Sequence, residues 1–588
     1  MSHPHAPSSL MATETMPAPI LTRDSANATP GQTSVRALAD SLASISLLSH
    51  AMGVFGFAAI VCTFLLWGAT RLEIGSQEAR LGMAARETFG PVGQSFGGLD
   101  PGIYPGQVAL LKAFSIIEKW NAGQETIRWT SVICAGLIGI AITLRTEWKS
   151  GKTAALAVAL CWFSSLALLH RTGELGIDFY LGAGLVLALN DTIANRGQLR
   201  LRTGIYTGIA FLCGGLAPVI LVVAASIIIC RSSAGLRPGF LAIVIATVGG
   251  WSAWALNEIS AEAWAAAIAL PVVFRSGSSF PTIVMMLCLP MVLAVPAFFS
   301  QRLRSGWSEC SREYTSNWWT IASACLFVGT VLPQFSRATL LPIVAGCSVI
   351  AGHVWATAWQ SREFSALGFA GRWLNYTSGL MLVVASAAII PFGIYLSMAI
   401  PYYRWTSLAC VIMAIASVGF YFYGNYARAS RQVILSIVLL AICLKTAHAA
   451  IYVPEWNYRR GQGPWGRAIG QWVPAGWPIY TLHGWPTDLA FATGHNFRQI
   501  TAPRFLPGQD RSPDGRPVFI LLHPADFERW PKTAAPIRKV FEFQDQSGFS
   551  SKILARTGGE KLNWLQWTGK KYNPQSEPAR IVVEEVGE

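Results

Sequence analysis

Apolar residues in this chain fall in long unbroken runs with short polar breaks between them. They do not follow the alternating or i, i+3, i+4 patterns of elements that face water on one side. Runs of roughly 17–25 apolar residues match the length a helix needs to cross a bilayer. They predict spanning helices near 47–69, 126–144, 153–170, 174–190, 203–214, 217–230, 238–256, 281–300, 318–334, 338–358, 377–398, 405–424 and 432–452. The run "TGIYTGIAFLCGGLAPVILVVAASIIIC", 203–230, reads as one long helix or as two short ones. Gly214, Gly215 and Pro218 in its middle favour a break. Arg200 and Arg202 before it, and Arg231 and Arg237 after it, favour two ends on one side, so the run should turn back. The count is then thirteen spans.

Composition agrees with the pattern. Charged residues make up 13% of the chain and hydrophobic ones 52%, where soluble domains carry about 25% charged residues. The net charge of +14, in a membrane protein, reads first as positive-inside loop bias and not as nucleic-acid binding. Arg145, Lys149, Lys152, Arg196, Arg302, Arg304, Arg372, Arg428 and Arg431 all fall in segments that alternate onto one side with the flanks of the hairpin. This predicts a multi-pass protein of the cytoplasmic (inner) membrane with its N-terminus in the cytoplasm. An odd number of spans puts the C-terminal part outside.

The expected fold class is an all-α polytopic membrane protein with a small soluble α/β C-terminal domain. Residues 1–46, rich in Ala, Ser, Pro and Thr, are expected to be a disordered cytoplasmic tail. Residues 47–452 would form the membrane domain, with an outer first loop at 70–125. Residues 453–588 would form the extracytoplasmic domain, where "PIYTLHG", "PVFILLH" and "RKVFEFQ" read as strands. The eleven cysteines include no CxxC pair and none follows Cys443, so no disulfide framework is expected.

Ionisable residues on the outer side carry the candidate chemistry. "IGSQEARLGMAARETFG", 74–90, brings Glu78, Arg80, Arg86 and Glu87 directly after the first span. "RTGELGIDFYLGAGLVLAL" places Glu174 and Asp178, i and i+4 on one helix face, at the outer start of the fourth. Ionisable groups at a span entrance are expensive unless they have work or a partner. Such carboxylates can hold a divalent cation or take a proton from an acceptor hydroxyl. Glu174 and Asp178 would equally complement the dipole of their helix, and Glu78 would equally belong to a salt-bridged surface helix with Arg86. Arg128, Arg337 and Arg404 sit at outer span ends. Their planar donors suit a phosphate, or they anchor the interface by snorkelling. His483, His495 and His523 lack metal-ligand spacing.

Four stretches, in this order, resemble the GT-C glycosyltransferases, in particular the branch of the lipid A aminoarabinose transferase and the protein O-mannosyltransferases. "GSQEARLGMAARE" is similar to that family's acidic first-loop motif. "ETIRWTSVICAGLIGI" is similar to its entry into the second span, with Arg128 at the family's Arg. "GELGIDFYLGAGLVLAL" is similar to the Gly-Glu-x-Asp stretch, with Asp178 at the second acid, and "FSRATLLPIVAG" to the turn that carries Arg337. The resemblance implies transfer of a sugar from a polyprenyl-phosphate donor to a lipid, glycan or protein acceptor on the outer face. Glu78 and Asp178 would be the catalytic pair and the ligands of a divalent metal (Mg, Mn, Ca or Zn). Arg80, Glu87, Arg128, Glu174 and Arg337 would bind substrate. Membrane lipids are the expected surroundings and nucleic acid is not a partner.

Three positions depart from the family pattern. Gln77 stands where the family has Asp, Tyr104 where it has Lys, and "GGLAP" at the hairpin tip lacks a Lys. An inactive GT-C scaffold that binds lipid-linked glycan is therefore the alternative. A lipid or sugar transporter ranks below both, because no inverted repeat is visible in the sequence.

Overall fold

The structure, a computed structural model, describes residues 53–68, 79, 81–82, 105–117, 124–171, 176–230, 235–258, 279–361, 363–460, 463–474, 477–482, 487–495, 497–507, 517–544, 551–557, 565–568 and 579–582. Its membrane part runs through α1 (Gly53–Leu66), α2 (Pro105–Ile117), α3 (Gln124–Ser150), α4 (Lys152–Phe163), α5 (Leu166–Arg171), α6 (Gly176–Ala194), α7 (Leu201–Gly214), α8 (Leu216–Cys230) and α9 (Pro238–Glu258). It continues with α10 (Phe280–Leu287), α11 (Met291–Phe298), α12 (Glu309–Val331), α13 (Ser336–Gln360), α14 (Phe369–Ala399), α15 (Arg404–Tyr426), α16 (Ser430–Ala447) and α17 (Val453–Arg460).

Among the described residues, five helical stretches are long and apolar enough to cross a membrane: Ile127–Ser150, Pro333–Gln360, Phe369–Ala399, Pro401–Tyr426 and Ser430–Asn457. The chain is a multi-pass membrane protein. α13 lies at the centre, with 94% of its apolar window buried, whereas α14, α15 and α16 are 22%, 28% and 33% buried. An enclosed helix is apolar all round, which is why α13 shows no polar stripe. Phe392, Met398, Trp405 and Phe422, exposed on the outer helices, suit lipid contact.

The run 281–300, expected to be a single span, is bent by 89° between α10 and α11. Pro290 supplies the break, since it has no amide proton to continue the helix. The run 153–170 is also interrupted, at Ser164 and Ser165. The two interruptions meet, for the amide of Leu166 donates to the carbonyl of Leu289 at 3.2 Å.

The run 203–230 is a hairpin. Gly215, at φ +69°, ends α7 in a conformation that favours glycine, and α8 starts at the next residue. The two ends of the hairpin return to one place: the Leu199 amide donates to the Gly235 carbonyl at 3.0 Å, and the Arg237 amide donates to Leu199 at 3.3 Å.

Buried hydrogen bonds sort the helix ends onto two faces. Ser150 at the end of α3 bonds Ser311 at the start of α12 (2.5 Å) and His353 late in α13 (2.8 Å). Tyr314 of α12 donates to Asn190 near the end of α6 at 3.0 Å. Ser430, opening α16, donates to Ala358 of α13 at 2.9 Å. The starts of α3, α6 and α13 and the end of α16 therefore share the opposite face. The hairpin tip is there too: Gln107 of α2, buried, donates to the Cys213 carbonyl at 2.9 Å.

Beyond α17 come α18 (Gly463–Trp472) and α19 (Thr487–Thr493) and a seven-stranded mixed sheet. The strands are β1 (Ile479–Thr481), β2 (Phe497–Gln499), β3 (Phe519–Leu522), β4 (Ile537–Gln544), β5 (Ser551–Thr557), β6 (Leu565–Thr568) and β7 (Ala579–Val582), in the order β2-β1-β3-β5-β4-β6-β7. β1 runs parallel to β2 and β3, and β5 runs antiparallel to β3 and β4. β3 is buried at every residue because it is covered on both faces. Phe519 and Leu521 pack with Trp465, Ile469 and Leu489 of the helical layer, and Ile520 and Leu522 pack with Ile500 and Ile553.

Candidate functional site

Of the residues expected to form the site, Glu78, Arg80, Glu87 and Glu174 lie outside the described residues, as do Gln77 and Tyr104. Described neighbours within the first-loop motif show its setting. Ala79 and Leu81 are fully buried. A β-carbon on Gly82 would lie 2.3 Å from the Phe491 ring of α19 and 2.7 Å from Ile127 at the start of α3. Only glycine allows that approach, so Gly82 sits between α19 and the start of α3.

Arg128 follows Ile127 and is fully buried, the largest charged side chain in the core. Tyr180 of α6 donates to the Ile127 carbonyl at 3.4 Å. This bond lays the first turn of α6, which carries a half-buried Asp178, against the first turn of α3, which carries Arg128. Asp178 also stands in the first turn of α6, at the positive end of its dipole.

Arg337 belongs to the same end. Gly182 of α6 lies directly against Leu341 of α13. Asp178 is one turn before Gly182 and Arg337 one turn before Leu341, so both head the same seam between α6 and α13. Arg337 is exposed there. Just before it, the buried amide nitrogen of Gln334 has no hydrogen-bond partner among the described residues. Arg404 stands apart: it is exposed, and its Nε donates to the Ser397 carbonyl at 3.4 Å. Its neighbour Tyr403, fully buried, donates to Glu455 at 3.3 Å.

Lys445 was passed over in the sequence because it is one polar residue in an apolar run. It is 2% exposed, near the end of α16, and no hydrogen bond or ion pair reaches it among the described residues. A charge on so buried a side chain without an anion is costly, which makes Lys445 a candidate for the site. A π-helical turn, His448–Tyr452, follows it, and a second, Cys62–Leu66, ends α1. Such turns recur at functional sites. The two meet where Gly68 abuts Ala449. Ala449 is i+4 from Lys445, so the Lys445 face of α16 looks toward the end of the turn that follows α1.

Asp488 was also missed, having been read only as part of a helix start. It is half-buried in the first turn of α19, three residues before Phe491. Burial pushes its carboxyl above the usual range, against the pull of the Leu489 amide and of Lys552. His495 is buried and bonds the Trp477 carbonyl at 3.0 Å. Among the described residues no three His, Cys, Asp or Glu side chains gather as a metal would require.

No protein-family model matches the chain, and no curated protein matches it in sequence. Solved structures share its fold. ArnT from Cupriavidus metallidurans bound to undecaprenyl phosphate aligns with a TM-score of 0.59 and 13% identity, over 86% of this chain and 99% of that one. The same protein in the apo state aligns at 0.58 and 13%, over 87% of this chain and 100% of that one. An oligosaccharyltransferase from Archaeoglobus fulgidus, tethered with an acceptor peptide, reaches only 0.37 at 11% identity, over 85% of this chain and 73% of that one. The fold is shared with ArnT over most of both chains.

Proposed function

We propose that this protein is a membrane glycosyltransferase that moves a sugar from a polyprenyl-phosphate donor to a lipid, glycan or protein acceptor on the outer face of the inner membrane. The observation that supports this most is a fold shared with ArnT over nearly the whole of both chains, in a relative solved with undecaprenyl phosphate. The seam headed by Asp178 and Arg337, with Arg128 beside it, gives the reading its residues.

Asp178, with Glu78 from the first loop, takes the proton from the acceptor hydroxyl. The acceptor oxygen bonds to the anomeric carbon as the bond from that carbon to the phosphate oxygen breaks. Arg128, Arg337 and Lys445 offset the charge that develops on the departing phosphate. The resemblance also implies a divalent cation at Glu78 and Asp178. Asp178 is the one member of that pair within the described residues.

Gln77 and Tyr104, in place of an acid and a cation, favour the second reading, an inactive scaffold that binds lipid-linked glycan. Undecaprenyl-phosphate-linked sugars supplied to the reconstituted protein separate the two. Sugar release by the wild type, reduced about 100-fold or more in Glu78→Ala and Asp178→Ala, is the expected result. A wild type that binds undecaprenyl phosphate but releases sugar from none of several donors would be the scaffold.

A further inference from the structure

A second polar pocket lies at the opposite face, where α3, α6 and α7 end or begin. It encloses about 230 Å³ and is lined by Arg145 and Trp148 of α3, Asn190 and Asp191 of α6, and Arg202 and Tyr206 of α7. Leu144 and Leu187 make part of its apolar wall.

The charges in the pocket do not balance. The Asp191 carboxylate, 7% exposed, accepts the Thr203 hydroxyl at 2.6 Å. It has two guanidiniums to serve, Arg145 at 3.8 Å and Arg202 at 3.9 Å. Both distances are at the outer limit of an ion pair, so neither arginine is tightly held. Trp148 is 72% exposed, and Arg145 and Lys149 lie 5.1 and 5.0 Å from its ring centre. Arg202 also donates to the Tyr206 hydroxyl at 3.1 Å. The outcome is a partly enclosed pocket with surplus positive charge and planar donors, the chemistry that binds phosphate.

Its surroundings select the form in which the phosphate arrives. Leu137 and Leu144 lie on one face of α3, seven residues apart, and both are exposed. Ile205 and Ile209 are exposed one turn apart on α7. These side chains continue the rim of the pocket along the membrane part. A basic pocket between spanning helices, flanked by lipid-facing apolar side chains, fits a phospholipid better than a free ion. The volume suits a headgroup and is below the roughly 300–1,000 Å³ of sites that engulf a whole ligand.

We propose that this pocket binds the phosphate of an anionic phospholipid, with the acyl chains along α3 and α7. It is a second lipid site, on the other face from the sugar-transfer site and independent of the function proposed there.

Native mass spectrometry of the full-length protein tests it, with cardiolipin, phosphatidylglycerol or phosphatidylethanolamine supplied in turn. The two anionic lipids are expected to be retained at several-fold higher occupancy. Arg202→Gln, at an exposed position and with its melting temperature recorded, should lower that occupancy about fivefold, and Arg202→Lys should keep most of it. Arg145→Gln should act in the same direction, with its melting temperature recorded to separate binding from unfolding. Equal retention of all three lipids would overturn the proposal, as would unchanged binding in Arg202→Gln. Inorganic phosphate binding at the pocket without lipid retention would also overturn it.

Discussion

Phe491 closes on Gly82 so tightly that one added carbon would fall 2.3 Å from its ring. The contact fastens Gly82 to α19, which packs on the sheet. Gly82→Ala should cost about 1–3 kcal/mol by overpacking. Thermal melting of the purified protein reads this, and Phe491→Leu in the same chain should recover part of it. An unchanged melting temperature in Gly82→Ala would dissolve the contact.

Asp178 and Arg337 head one seam but are given different work. Asp178→Asn should lower turnover by about 100-fold or more while leaving donor affinity within a few-fold, as loss of a proton acceptor does. Arg337→Gln should weaken donor binding, since a charge-assisted hydrogen bond contributes about 1.5–3 kcal/mol. Steady-state kinetics and a direct binding titration distinguish the two. Equal losses in both quantities for both variants would refute the division of labour.

Lys445→Met removes a buried charge and keeps the length of the side chain. The variant should melt at or above the wild-type temperature and bind undecaprenyl phosphate at least tenfold more weakly, while Lys445→Arg should retain binding. If Lys445→Met gains stability and binds the lipid as before, Lys445 has no part in the site. A wild type that never binds the lipid would instead count against the transferase itself.

Asp488 links stability to pH. Its carboxyl is held above the ordinary range by burial. The protonated form is therefore the one the fold favours. That contribution is complete below the unfolded value of about 3.9 and is lost as pH rises through the raised folded value. Asp488→Asn should melt higher than wild type at neutral pH, and the difference should shrink toward pH 4. A pH-independent difference between the two proteins would contradict this assignment.

Among the described residues, five of the thirteen expected spans are long and apolar enough to cross a membrane, and the others are shorter, less apolar or bent helices that run length does not distinguish. The hairpin turn was legible because Gly214, Gly215 and Pro218 leave a direct trace in sequence. The bend at Pro290 was legible as a proline and unread, since run length says nothing about direction. Arg128 and Asp178 were found because each opens a span, where a charge stands out. Lys445 was hidden by the same rule: it lies inside a run, and hydropathy averages it away. Asp488 was invisible for a different reason. Its environment includes Lys552, which is distant in the chain.

The meeting of Leu166 with Leu289 has a consequence for how this molecule can be re-engineered. An interrupted helix inside a bilayer leaves backbone groups that lipid cannot satisfy. Here one interruption supplies the amide and the other the carbonyl. A chimera that straightened either segment with sequence from a relative would orphan the other. The two breaks behave as a single hereditary unit, and a recombination boundary drawn between them should yield chains that insert but do not pack.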